Sequence, residues 1–137
     1  MNIIINDISH KLVKTEESDN YIKYDIYRAD SLIGHITKSG SEVLYTARDT
    51  ENNIICAGST LRGALESMIL NIFYSSSFKG NKYIHTLGAW VEGEKIQVEY
   101  TKNDTVKYAA RTVRYSKEAG DLYIVIDNNK YFYHEFN

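Results

Sequence analysis

One stretch limits the available folds more than any other. Gly58 to Phe73 carries the only long helical pattern in a chain of 137 residues. Leu61, Ala64, Leu65, Met68, Ile69, Ile72 and Phe73 recur at spacings of three and four, so they share one helix face. Arg62, Glu66, Ser67 and Asn71 fall on the other side. Ser59 or Thr60 supplies a capping hydroxyl, and Gly58 admits a sharp entry into the first turn. With one helix available, the remaining apolar residues have to be buried by strands.

The strand pattern divides into two parts. Met1 to Ser18 is expected to form a short edge strand and a mobile loop. Tyr21 to Arg28 alternates, with Ile22, Tyr24 and Ile26 on one face and Lys23 and Asp25 on the other. Further strands are expected at Leu32–Lys38, Val43–Arg48 and Ile54–Ala57, the last running into the helix. Ser75-Ser76-Ser77 and Gly80-Asn81 mark a boundary within 74–82. Beyond it, Lys95 to Thr101 places Ile96, Val98 and Tyr100 together. Thr105 to Tyr115 begins with Val106, Tyr108 and Ala110 inward and changes phase near Arg111-Thr112, which implies a bulge. Leu122 to Ile126 is apolar on both faces, like a central strand, and Asn128-Asn129 is placed in a two-residue hairpin turn.

The expected class is α+β. An antiparallel β-meander is packed by one long helix, followed by a small antiparallel β-barrel-like half. The modules are residues 1–74 and 83–137, or the two run together as one continuous domain. The expected core holds Ile22, Tyr24, Ile26, Leu32, Val43, Leu61, Leu65, Met68, Ile69, Ile72, Phe73, Ile96, Val98, Leu122, Ile124 and Ile126.

Composition excludes several classes. The formal charge is −2, which argues against tight general binding to nucleic acid or anionic membrane surfaces. Apolar runs such as Ile3-Ile4-Ile5 are too short to span a bilayer. A single cysteine suits a reducing cytoplasm. There is no proline, and tyrosine occurs 12 times. Heavy use of Ile, Asn, Lys, Tyr and Phe, whose codons are A/T-rich, fits a low-GC bacterium, a phage or another mobile element.

Cys56-Ala57-Gly58-Ser59-Thr60-Leu61-Arg62 places five residues between a thiol and a guanidinium on a strand-to-helix turn. It resembles the phosphate-binding loop of cysteine-dependent phosphatases. The resemblance implies Cys56 as nucleophile and Arg62 as phosphate clamp. It covers seven residues, and Gly63 stands where that family has Ser or Thr. The competing reading makes Cys56 a small buried hydrophobe. The four histidines form no pair at metal-ligand spacing with carboxylates and read as solvent-facing or hydrogen-bonded strand residues. No cofactor motif is present.

A second cluster joins Lys107, Arg111 and Arg114 with Tyr108 and Tyr115, with Trp90 nearby. Cations beside rings on a strand can stack a base, grip phosphate or anchor a protein partner. The expected function is therefore non-enzymatic: a cytoplasmic phage- or mobile-element-encoded inhibitor, of host defence for example. It would bind a host protein or a small signalling nucleotide stoichiometrically, without cofactor or membrane. Homo-oligomers through exposed strand edges fit the same picture. The meander followed by a helix also resembles, in architecture alone, small modules that bind double-stranded nucleic acid. The acidic first half disfavours that function.

Overall fold

Four two-residue turns set most of the topology. Asn6-Asp7, Ala29-Asp30, Asn103-Asp104 and Asp127-Asn128 all take positive φ, at 50° and 64°, 49° and 64°, 52° and 60°, and 48° and 66°. Two successive left-handed residues make the hairpin turn whose twist matches antiparallel strands, and Asn and Asp tolerate that region well. The computed structural model describes all 137 residues. It divides into two compact units, Met1–Ile72 and Phe73–Asn137. No helix is long and apolar enough to cross a membrane.

The first unit is a six-stranded antiparallel sheet in sequence order: β1 (Asn2–Ile5), β2 (Ile8–Ser18), β3 (Tyr21–Arg28), β4 (Ser31–Ser39), β5 (Tyr45–Arg48) and β6 (Ile54–Gly58). Helix α1 (Leu61–Phe73) follows. Thr60 caps it, its Oγ1 accepting the Gly63 N–H at 2.9 Å, a bond worth about 1 kcal/mol. The buried side chains are Ile5, His10, Leu12, Tyr24, Ile26, Ile36 and Ala47 of the sheet with Ala64, Leu65, Met68 and Ile69 of the helix. Gly34 lets the two come close, since a Cβ there would lie 2.6 Å from Met68 Cε.

The second unit has two antiparallel sheets. One is ordered β10 (Thr105–Thr112), β9 (Lys95–Lys102), β8 (Ile84–Leu87), β7 (Ser75–Ser77); the other β11 (Arg114–Ser116), β12 (Asp121–Ile126), β13 (Asn129–Phe132). They share a core of Ile84, Ile96, Val98, Val113, Ile124, Ile126, Tyr131 and Phe136. Phe78 and Phe136 add a single bridge. Backbone bonds of Ser77 with Asn137 and from Lys79 N to Glu135 O tie the β7 end to the C-terminal segment, so the antiparallel strands curl into a half-barrel.

Several expectations need correction. The polar segment expected as a loop belongs to β2, which pairs with β3 as far as Ser18↔Tyr21. There the Lys14–Glu17 ion pair (3.1 Å) and Lys14 over the Tyr24 ring (5.9 Å) use the polar side chains. Ser75-Ser76-Ser77 is strand β7 rather than linker, paired to Leu87, Thr86 and His85.

The phase change after Arg111 is not a bulge. At Val113 the chain leaves one sheet for the other, its N–H bonded to Glu94 O and its C=O accepting from Gly93 N. Val106, Tyr108 and Ala110 consequently lie exposed on an edge strand. The last hairpin turns at Asp127-Asn128, one residue earlier than expected, because Ile126 pairs with Asn129.

Four expected core residues are exposed. Val43, 80% accessible, lies in the loop before β5, and Leu32 precedes a register shift between Ile26 and Tyr27 on its partner strand. Ile72 and Phe73 occupy the last turn of the helix.

Candidate partner-binding face

The six residues singled out for binding occupy different settings. Trp90 is half-buried, stacked on Tyr133 at 5.2 Å and 8°, and 5.1 Å from Phe136; it packs against the core of the second unit. Arg111 is a strut: its Nε donates to Val125 O at 3.1 Å and its Nη1 to Ala110 O at 2.9 Å, tying β10 to β12. Lys107 and Tyr108 are consecutive on β10 and so point to opposite faces; Tyr108 is 76% accessible. Arg114 and Tyr115 are exposed on β11, opposite Tyr123 and Leu122 respectively.

Arg114 joins a set that the sequence reading missed. Arg114, Tyr123 and Phe132 stand directly opposite one another across β11, β12 and β13, so their side chains share a face. The Tyr123 and Phe132 rings are 5.6 Å apart at 48°. Lys130 Nζ lies 5.0 Å from the Tyr123 centroid, and His134 stacks on Phe132 at 6.0 Å and 24°.

His134 is fixed by Asp121, whose Oδ2 lies 2.6 Å from its Nδ1 and accepts its backbone N–H at 3.1 Å, while the Leu122 N–H donates to Oδ1 at 2.9 Å. Burial works to raise the Asp121 carboxyl, but these hydrogen bonds from His134 and Leu122 outweigh it and hold the group below its ordinary value. A sequence signal did exist: Tyr123 alternates with buried Ile124, and Phe132 with buried Tyr131. The unbroken apolar run 122–126 masks that alternation.

Cys56 and Arg62 are each engaged elsewhere. Cys56 Sγ donates to Ala64 O at 3.8 Å, and burial pushes its thiol up to about 11. Arg62 donates from Nε to Glu66 Oε1 at 3.0 Å and from Nη2 to Ile4 O at 3.1 Å. The thiol is thus protonated near neutral pH. At pH 7.5, iodoacetamide is expected to alkylate Cys56 more than about tenfold more slowly than free cysteine; mass spectrometry of the modified chain over time checks this, and an equal rate would contradict it.

Of the histidines, His35 matches the expectation of a hydrogen-bonded strand residue, its Nδ1–H donating to Asp25 Oδ1 at 2.8 Å. His10 matches neither expectation. It is fully buried, and neither ring nitrogen reaches hydrogen-bond geometry with a partner.

Compared with known proteins, the chain matches no family, no curated protein and no solved structure.

Proposed function

We propose that this is a non-enzymatic binding protein that stoichiometrically occupies a host protein, as a small inhibitor encoded by a phage or another mobile element. One observation carries the reading: the cross-strand row Arg114–Tyr123–Phe132, flanked by Lys130 and His134. Arginine and tyrosine are enriched among residues that dominate protein–protein affinity, and the two-torsion tyrosine ring loses little entropy on docking. His134, held by Asp121, enters the contact already ordered. The abundance of residues encoded by A/T-rich codons supports the mobile-element origin, and the single cysteine supports a cytoplasmic setting. A second copy pairing along the exposed edge of β10 belongs to the same proposal.

Two other readings have less support. A thiol phosphatase needs a thiolate, and Cys56 is held protonated. A nucleic-acid module of the helix-and-meander type needs several cations at the helix start, and Arg62 stands alone there.

The test uses the immobilised full chain and a nuclease-treated lysate of its natural host. One host protein should be retained at fixed stoichiometry. Tyr123→Ala and Arg114→Ala should each reduce retention more than about tenfold, with melting temperatures within a few degrees of the parent. Equal retention by both variants would remove this face from the function.

A further inference from the structure

The opposite side of the β12–β13 hairpin holds a cleft of about 480 Å³, within the range of small-molecule sites. It has the composition such sites need: an apolar floor with a few polar groups above it. The floor is Ile84 and Ile126, both nearly inaccessible and both part of the core. Tyr83, Tyr100 and Tyr131 add rings. Tyr131 is held rigidly, its ring edge-on to Phe78 at 5.2 Å and 87°.

Two ammonium groups line the same cleft against a single carboxylate, Asp127. Lys82 Nζ donates to the Tyr131 hydroxyl at 3.4 Å, a long bond that leaves its charge unneutralised. Lys102 meets Asp127 at 3.3 Å with both side chains about half exposed. Such a pair contributes little and yields readily to a stronger anion. Lys107 stands at the end of the cross-strand row Ile84–Tyr100–Lys107, on the same side of that sheet as Tyr100. Asn129, placed at the lip by the Asp127-Asn128 turn, offers both a donor and an acceptor.

From these features we infer that the cleft binds a nucleotide. Lys82 and Lys102 take the phosphate, and the tyrosine rings over the isoleucine floor take the base. Tyrosine faces and ammonium groups together select a ligand that is both planar and anionic, so a nucleoside or a bare phosphate uses half the site. The site is independent of the partner-binding face, because Ile126 and Tyr131 point to the side of the sheet opposite Tyr123 and Phe132.

Calorimetric titration of the full chain with the four ribonucleoside 5′-monophosphates, adenosine and inorganic pyrophosphate tests this. At least one monophosphate should bind with one-to-one stoichiometry, and adenosine and pyrophosphate should each bind at least about tenfold more weakly. Lys82→Gln and Lys102→Gln should each weaken the monophosphate about tenfold or more without lowering the melting temperature appreciably. Tyr123→Ala should leave the titration unchanged, which separates this site from the partner-binding face. Absence of saturable heat with all four monophosphates, or unchanged affinity in both lysine variants, would overturn the inference.

Discussion

Gly34→Ala is expected to destabilise the first unit by about 3 kcal/mol or more. Two causes add. Gly34 has φ of 154°, in the region that side chains rarely adopt, and a Cβ there would lie 2.2 Å from Arg48 O and 2.6 Å from Met68 Cε. The methionine can swing aside. The carbonyl cannot, because Arg48 lies opposite His35 in the β4–β5 ladder, and moving it breaks pairing in the middle of the sheet.

Gly120→Ala supplies the comparison. Gly120 has φ of 63° with open space around it, so alanine there meets only the left-handed penalty of about 1 kcal/mol. Amide hydrogen exchange of β4 and β5 reads the first unit directly. If Gly34→Ala opens those strands no more than Gly120→Ala opens its own, close approach is not what demands glycine at position 34.

Gly34 also illustrates what the sequence made legible and what it did not. The helix was readable because its apolar stripe is long and its cap, Thr60, is local. The meander was readable from Tyr21 to Arg28, where Tyr24 and Ile26 alternate with Lys23 and Asp25. Both signals depend on neighbours a few residues apart. The departures came where a distant strand decides.

Tyr108 reads as inward by alternation, yet β10 is an edge with no layer over that face. Val113 reads as a phase error, yet it is where one chain segment serves two sheets. The polar end of β2 reads as loop, yet β3 pairs with it on both sides of a register shift between Lys14 and Glu16. The same limit applied to the candidate site. Arg114 was visible as a cation beside tyrosines in sequence, but the rings it stands beside, Tyr123 and Phe132, come from two later strands. Arg111, its apparent companion, spends its guanidinium on the carbonyls of Val125 and Ala110.

His10 is the other residue whose setting no local pattern announces, and it leads to the second large effect. Its imidazole is fully buried on β2, opposite Arg28 on β3 and Ile3 on β1. Burial first, and then the Arg28 guanidinium, hold its pKa below 6.5, with the backbone of Ile3 and Ile8 acting weakly the other way. The neutral ring is therefore the folded form. Below about pH 6.5 the unfolded chain takes up a proton that the folded chain refuses, so stability falls as pH falls through that value and is independent of His10 well above it. The Asp121 contribution has the opposite origin and a separate window: its lowered carboxyl adds stability above the ordinary value of 3.8, which is lost on further acidification.

His10→Leu keeps the approximate volume and removes two ring nitrogens that miss good hydrogen-bond geometry with the nearby backbone of Ile3 and Ile8. It is expected to stabilise the first unit by about 1–3 kcal/mol at pH 7 and to abolish the decline that sets in as pH falls through about 6.5, while leaving the loss on acidification below 3.8 in place. Urea unfolding of parent and variant across that pH range measures both. A leucine variant that is less stable at pH 7 would mean that the Ile3 and Ile8 backbone holds the imidazole by hydrogen bonds, and one that retains the decline below about pH 6.5 would mean that His10 does not cause it.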